Sequence, residues 1–449
     1  MKQRNTSHAD LYYFVWVFAM PVTSVLILPS IQGTTLGYVM CFLSLPVALA
    51  CAGASRSRYI KFLIVASSVW TFFFLASQLA DTAVAYEPDL TKVVLIDDTD
   101  VLTFVLRKSL FTQTIYLAAV VLYASYVYIF YKPSWQQWLL ASAAIFAAYG
   151  IYEVVYFVVM GRPGDYISNR AFGSEFPNNG AAVPEGAATG TSIQRIDVAG
   201  FTIQRLKSLT GEPSMYAFSM FPFWVYFNAT SKRRLPVWII GASLIMSTSS
   251  TAFIGYVVYL LIRMRKISFH PVKTLAGAFV LFVVAYLAKD YIADLFQQMV
   301  LDKLDGTNVS GVERSGLFRA SVDMWAGGSL ANQLFGVGFG YIRSTDLFST
   351  LLVNTGLVGL VLVSLLILYP AFKLDWSTEG MALRQCCVTT WVMMMISVPE
   401  FSYLAPWTFV AIAYARLRAQ KMAARQSSVA LPGSSSPVND RRLTVRSRL

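Results

Sequence analysis

The stretch Arg205-Leu-Lys-Ser-Leu-Thr-Gly-Glu212-Pro213-Ser214 joins a polar segment to an apolar run that extends to Ala229. Pro213 suits the first position of a helix, where its missing N–H needs no partner. The run that follows is long enough for a membrane helix, which rises about 1.5 Å per residue. The stretch therefore predicts a membrane helix with two cations and a carboxylate at its entrance.

Similar apolar runs recur along all 449 residues, of which 56% are hydrophobic and only 13% charged. Soluble domains carry about a quarter charged residues, so the composition excludes a soluble multidomain protein. The runs are too long and too continuous for a membrane β-barrel. The sequence therefore predicts an all-α polytopic membrane protein.

Basic clusters between the runs set the predicted orientation, because Lys and Arg concentrate on the cytoplasmic side of membranes. The serine-threonine run 247–251 separates the clusters Lys232-Arg-Arg234 and Arg263-Met-Arg-Lys266. Two short helices that turn at this run keep both clusters inside, whereas one tilted helix does not. We therefore expect about twelve transmembrane helices, two large periplasmic loops and two cytoplasmic termini.

This layout divides the chain into six parts. They are transmembrane helices one to five (1–160), the first large periplasmic loop (161–211), helices six to nine (212–288), the second large loop (289–344), helices ten to twelve (345–415) and a disordered basic cytoplasmic tail (416–449). The first span runs from Leu11 to Pro29. The net charge of +12 falls mainly on the cytoplasmic side, where it favours anionic lipids rather than nucleic acid.

The cysteines and histidines show no metal-ligand or disulfide pattern. All four cysteines lie inside apolar runs, and both histidines fall on the predicted cytoplasmic side, at His8 and His270. Buried cysteines of this kind behave as small apolar residues. We therefore expect no metal, no cofactor and no histidine-based mechanism at the periplasmic face.

The two long loops are rich in cations, although Lys and Arg are disfavoured on that side. These cations are Arg162, Arg170, Arg195, Arg205, Lys207, Lys289, Lys303, Arg314, Arg319 and Arg343. One interpretation is that they clamp a phosphate or diphosphate, which Arg and Lys bind well. The other is that they pair with the equally numerous carboxylates.

Four carboxylates are candidates for chemistry. Glu212 either stabilises the start of its helix or acts as a general base. Asp346 either caps the tenth span or belongs to a site. Glu153 lies within the fifth span, where an ionisable group is costly, and Glu400 lies either at similar depth or at the membrane interface.

Together these features resemble the O-antigen polymerase and ligase superfamily of bacterial surface-glycan assembly. The resemblance is carried by the segment 205–214, the turn Ser247-Thr-Ser-Ser-Thr251, the Arg-containing second loop with Gly336-x-Gly338, and Gly356-Leu-Val-Gly359 in the next span. It is most specific from about residue 195 to residue 365. It implies a helical membrane fold like that of the GT-C glycosyltransferases.

The resemblance implies an enzyme that transfers a glycan from undecaprenyl diphosphate to an acceptor, without a metal, at the periplasmic face of the bacterial inner membrane. The acceptor hydroxyl would attack the anomeric carbon, and Glu212 would take its proton. Arg205, Arg314 and Arg319 would stabilise the departing diphosphate. The residues expected to bind the diphosphate or glycan are Arg162, Arg195, Lys207, Arg314, Arg343, Asp346 and Tyr216.

One departure favours one member of the superfamily, and a second family pattern is matched in only one of the two loops. Ligases typically carry a histidine near the start of the span after the second loop, where this chain has Thr345-Asp346, which favours a polymerase. Some polymerases carry an Arg followed eleven positions later by Gly in both loops. Arg162 and Gly173 fit this spacing, whereas Arg319 and Gly328 miss it.

The alternatives are a ligase, or a transporter or flippase of lipid-linked glycans. Many spans and polar residues at membrane depth would suit a transporter, but the sequence shows no repeat of broken helices. A purely structural subunit would explain neither the loop arginines nor Glu212. The implied partners are the lipid-linked oligosaccharide, membrane lipids, and a chain-length regulator and flippase of the same pathway.

Overall fold

The computed structural model describes residues 8–31, 33–83, 90–97, 107–170, 195–198, 201–264 and 309–429. Most of them form thirteen helices: α1 (His8–Ala19), α2 (Leu36–Cys51), α3 (Arg56–Ala83), α4 (Lys108–Phe130), α5 (Gln136–Met160), α6 (Pro213–Thr230), α7 (Arg234–Met246), α8 (Ser250–Met264), α9 (Val309–Gly327), α10 (Leu330–Phe335), α11 (Leu347–Lys373), α12 (Thr378–Ser397) and α13 (Leu404–Val429). The predicted all-α fold class is confirmed.

Two short antiparallel strand pairs accompany the helices. β1 (Val94–Leu95) pairs with β4 (Ile342–Arg343), and β2 (Arg195–Val198) pairs with β3 (Phe201–Gln204). The second pair directly precedes the segment 205–212 that leads into α6.

Four of the described helices are long and apolar enough to cross a membrane. They cover Arg56–Leu79, Lys108–Phe130, Pro133–Met160 and Leu347–Lys373. α3 exposes apolar side chains such as Val65, which is 62% exposed, as a helix surrounded by lipid does. The twelve-span layout stays a prediction, and its ninth span, 272–288, lies outside the described residues.

Most of the helices share one apolar core, and a second, smaller apolar cluster joins Met324 of α9 to Val353 of α11. α12 packs against α11 and α6, α13 packs against α4, and α5 packs against α7. We define the site end of this bundle as the end where α6 begins at Pro213, and the opposite end as the end where α6 finishes at Thr230. Both ends contain ion pairs, such as Lys207 with Asp165 at the site end and Arg416 with Asp375 at the opposite end.

The helix pair α7–α8 turns within the serine-threonine run 247–251, as the sequence predicts. Thr248 has a φ of 44°, in the left-handed region that residues other than glycine enter rarely. Its hydroxyl and its carbonyl both accept hydrogen bonds from Arg205. The guanidinium therefore fixes a turn whose backbone is strained.

α1 is shorter than the predicted first span. It ends at Ala19, because Pro21 disfavours helical backbone at the residue before it. The following segment makes other hydrogen bonds, and the N–H groups of Thr23 and Ser24 both donate to the carbonyl of Leu209. The prediction that the first span is helical to Pro29 is therefore wrong.

The predicted disordered tail begins inside a helix. α13 continues past Arg416 to Val429, with Leu417 buried. Arg416 pairs with Asp375 and Glu379, and these contacts hold the helix against the α11–α12 connection. The prediction of disorder from Arg416 is wrong as far as Val429, and residues 430–449 lie outside the described part.

α11 is kinked at Gly356, whose φ is 64°. The carbonyls of Val353 and Asn354 accept hydrogen bonds from the N–H groups of Val337 and Gly338, at 2.9 and 3.1 Å. A Cβ at Gly356 would lie 2.3 Å from the carbonyl carbon of Leu334. The glycine loop that the sequence places in the second loop is thus attached to the first turns of α11.

Candidate functional site

The segment 205–212 is held by α5 and by the end of α7. The N–H of Leu206 donates to the carbonyl of Met246 at 3.2 Å, and the hydroxyl of Ser208 donates to the carbonyl of Phe146 at 2.8 Å. A Cβ at Gly150 of α5 would lie 2.6 Å from Leu206, so a larger residue there would displace the segment. The segment therefore presents its charged residues from a fixed backbone.

Arg205 is anchored to the α7–α8 turn. Its Nε lies 3.2 Å from the hydroxyl of Thr248, and its Nη2 lies 3.1 Å from the Thr248 carbonyl. Burial lowers the pKa of this guanidinium to about 10, the Glu212 carboxylate opposes the shift, and the positive charge of Arg314 adds to it. Arg205 thus stays protonated at neutral pH and shares its surroundings with Glu212 and Arg314.

Glu212 is the N-cap residue of α6, and Pro213 occupies the first turn, as the sequence predicts. The half-buried Glu212 side chain makes no capping hydrogen bond to the helix backbone. Its Oε2 instead accepts a hydrogen bond from the hydroxyl of Ser214 at 3.3 Å. The carboxylate therefore does not satisfy the N–H groups of its helix and is available beside Arg205.

α9 brings the second-loop arginines to this end of the bundle. The carbonyl of Arg314 accepts a hydrogen bond from Thr345 at 3.4 Å, and Phe318 stacks on Phe348 with ring centroids 6.3 Å apart. Arg314 is half-buried, while Arg319 is exposed. Of the three residues expected to stabilise the diphosphate, Arg314 acts electrostatically on Arg205, whereas Arg319 lies at the surface of α9.

Lys207 forms a buried ion pair that the sequence did not indicate. Its Nζ lies 2.6 Å from Oδ2 of Asp165, and the side chains are only 2% and 1% exposed. Burial alone would raise the pKa of Asp165, but the Lys207 ammonium and hydrogen bonds at Ser168 hold it below its usual value. Because Lys207 is committed to Asp165, its placement favours a positioning role rather than contact with a diphosphate.

Glu153 lies beside this pair. It is fully buried in α5, and within the described residues neither of its carboxylate oxygens has a hydrogen-bond partner. The charges of Lys207 and Asp165 and the backbone N–H of Ser208 act on it. A buried carboxyl without a hydrogen bond is costly, so the expectation that Glu153 is a functional candidate gains a structural basis.

Two further expected site residues have structural partners. Arg343 forms an ion pair with Glu400, with Nη2 and Oε1 2.9 Å apart. Asp346 caps α11 by accepting a hydrogen bond from the N–H of Ser349 at 2.8 Å. The sequence left two roles open for each residue. For Arg343 the structure supports pairing with a carboxylate, and for Asp346 it supports capping of a helix.

The remaining expected binding residues are dispersed. Tyr216 is fully buried, stacks on Phe146, and has its hydroxyl 2.6 Å from that of Ser243, which places it in the core. Arg162 is exposed just after α5, and hydrogen bonding to Tyr156 raises its pKa. Arg195 begins β2, with its backbone opposite Gln204.

Sequence reasoning missed Arg107 as well as Asp165. Arg107 is 1% exposed, lies over the ring of Tyr341 at 4.0 Å, and donates to the carbonyl of Val337. A Cβ at Gly338 would lie 2.3 Å from its Nη2. The only signal in the sequence is the Gly336-x-Gly338 spacing. It indicates that another group packs closely against this backbone, but it does not identify Arg107 as that group.

The arrangement at the site end can bind and polarise an anion. Arg205, Arg314 and the N-terminus of α6 supply positive charge, and Glu212 supplies a proton acceptor next to them. Across the described residues there is no group of three or more His, Cys, Asp or Glu placed to hold a metal ion. The chemistry that these residues suit is a substitution in which an anionic group leaves and a hydroxyl gives up its proton.

No protein-family model matches the chain, and no curated protein is significantly similar to it. The fold and the site geometry therefore have to carry the functional argument.

Proposed function

We propose that the protein is a polysaccharide polymerase of the bacterial inner membrane. It transfers a glycan from undecaprenyl diphosphate onto an acceptor repeat unit at the periplasmic face. The observation that carries this proposal is that Glu212 begins α6 without capping it, while the charges of Glu212 and Arg314 both act on the buried Arg205. The sequence resemblance supports it independently.

In the proposed reaction, an acceptor hydroxyl oxygen forms a bond to the anomeric carbon of the donor. The bond from that carbon to the diphosphate oxygen breaks, and the diphosphate leaves with the electron pair. Arg205 and Arg314 stabilise the charge that develops on this oxygen, which is usually the largest catalytic contribution. Glu212 accepts the hydroxyl proton. The two arginines thus stabilise the negative charge, and Glu212 transfers the proton.

Arg319 has a different place in this scheme. It is exposed on α9, one and a half turns beyond Arg314 at about 3.6 residues per turn. We assign it to the outer part of the donor or to guiding the lipid-linked substrate towards Arg205. Replacing Arg319 should then weaken substrate binding more than it slows the chemical step.

The proposal places the site end in the periplasm. A Ser310→Cys variant should then react with a membrane-impermeant thiol reagent in intact cells whose outer membrane is permeable to it. A Ser231→Cys variant, at the opposite end, should react only after lysis. The reverse labelling pattern would overturn this orientation.

Glycan length in a deletion strain tests the function. The strain without the gene should carry single repeat units, and restoring the gene should restore long chains. Long carrier-linked chains that are made but not attached in the deletion strain would identify a ligase instead. Loss of repeat units from the periplasmic leaflet would identify a flippase.

A further inference from the structure

The opposite end of the bundle contains a cavity of about 280 Å³ between α3, α4, α11 and α13. Four cations line it: Arg58, Arg418, Lys421 and Arg425. No Asp or Glu is among its lining residues. Cations that line one cavity repel one another, and an anion in the cavity would relieve this repulsion.

Arg418 is oriented by the protein but not fully satisfied by it. Its guanidinium lies 4.8 Å from the ring centre of Tyr128, and its Nη2 donates to the carbonyl of Ile129 at 3.3 Å. Its Nε and Nη1 are shielded from solvent and have no hydrogen-bond partner among the described residues. The hydroxyl of Tyr128 and the positive charge of Arg58 both act on the same guanidinium. Buried donors of this kind are costly unless a ligand meets them.

The rest of the cavity lining is aromatic and apolar. The rings of Tyr369 and Tyr414 stack with centroids 6.3 Å apart, and Leu417 and Met422 complete this wall. Three residues after Tyr369 in α11, the side chain of Phe372 is 73% exposed. The cavity thus joins a basic region to an apolar outer surface, which suits an amphiphile better than a small soluble anion.

We propose that this cavity binds a phosphate group, and that the phosphate belongs to the headgroup of an anionic lipid. Arg418 would donate its buried hydrogen bonds to the phosphate oxygens, and Arg58, Lys421 and Arg425 would contribute charge. Basic pockets between membrane helices bind lipid headgroups in this manner. The site lies at the end of the bundle away from Arg205 and is independent of the proposed polymerase activity.

Lipid binding to the purified full chain tests this proposal. Native mass spectrometry would compare phosphatidylglycerol with phosphatidylcholine, and a separate titration would use inorganic phosphate. The pocket variant Arg58→Gln/Lys421→Gln removes two exposed cations, so it should not disturb folding. The control Lys232→Gln/Arg233→Gln removes two exposed cations at the same end but outside the cavity.

We expect the wild-type chain and the control to prefer phosphatidylglycerol, and the pocket variant to bind it roughly 30-fold more weakly. Pocket-dependent binding of inorganic phosphate without phosphatidylglycerol binding would support the phosphate site but assign it a soluble ligand. Equal binding by the pocket variant and the control, for both ligands, would overturn the proposal.

Discussion

Two buried carboxylates at opposite ends of the bundle differ in their hydrogen bonding. Asp10 is 5% exposed, and its two oxygens accept hydrogen bonds from Lys132 at 2.6 Å and from the indole of Trp135 at 2.8 Å. Glu153 is fully buried without such partners among the described residues. The first carboxylate fastens helices together, whereas the second remains unsatisfied at a cost to stability.

The same contrast extends to the neighbouring groups. At the opposite end, Glu379 accepts hydrogen bonds from Gln136 and Tyr226 and pairs with Arg416. At the site end, Glu212 begins a helix that it does not cap. Charges that are costly and not used for packing mark functional sites. The comparison therefore favours the site end as the place of the proposed reaction, and each contrast can be tested with one pair of variants.

The largest expected effect is that of Arg205→Ala. Removing a group that stabilises developing charge costs about 10²- to 10³-fold in rate, so glycan chains in the restored deletion strain should stop lengthening. Arg416→Ala, at the opposite end, should leave the rate per folded molecule unchanged while lowering thermal stability. The measurement is glycan length normalised to the protein level in the membrane. Equal chain growth by both variants would mean that Arg205 is no more important for the reaction than Arg416.

Glu212→Gln should slow chain growth by about 10²-fold, because a general base contributes at least that much. Its thermal midpoint should stay near that of the wild type, since the side chain makes no capping hydrogen bond. The matched control, Glu379→Gln, should show a lowered midpoint with normal chain growth. A Glu212→Gln protein that is unstable but active would mean that the carboxylate only stabilises the helix start.

The two buried carboxylates should respond to substitution in opposite directions. Asp10→Asn should lower the free energy of unfolding by roughly 1–3 kcal/mol, because Lys132 loses its charged partner. Glu153→Met should leave stability unchanged or raise it, since an apolar side chain of similar volume suits a buried position. Chain growth should fall in Glu153→Met only. Thermal unfolding in detergent measures the first effect, and a destabilised Glu153→Met protein would show that the carboxyl is structurally required.

The smallest expected effect concerns acid stability at the opposite end. Hydrogen bonds from Arg416 lower the pKa of Asp375 to about 2, against about 3.9 for an unfolded chain. The stabilisation is therefore complete above about pH 4 and is lost as the pH falls towards 2. Asp375→Asn should have a slightly lower thermal midpoint than the wild type at pH 6 and an equal one near pH 2. If the thermal midpoints of the variant and the wild type differed by the same amount at every pH in this range, Asp375 would not contribute to stability through its charge.

Local chemistry made part of the fold predictable. The proline and glutamate that begin α6, the N-cap at Asp346 and the turn between α7 and α8 all depend on residues adjacent in sequence. Charge on the two sides of the serine-threonine run was enough to predict a helix pair there. Local rules also explain one error, because Pro21 ends α1 earlier than hydropathy suggests.

Contacts between distant residues could not be predicted in the same way. The helical state of Arg416 depends on Asp375 and Glu379, and the burial of Lys207 depends on Asp165. The sequence identified loop cations as a class but could not separate Arg205, held beside Glu212, from Arg343, paired with Glu400. Which cations pair with a carboxylate depends on how the helices pack.

The most direct test of the proposed polymerase uses the purified protein in liposomes with lipid-diphosphate-linked repeat units as the only substrate. Each added repeat should release one undecaprenyl diphosphate, and Arg205→Ala should abolish both lengthening and release, while Arg416→Ala retains both. Movement of the lipid-linked unit across the membrane without lengthening, or lengthening by Arg205→Ala at the wild-type rate, would contradict the account.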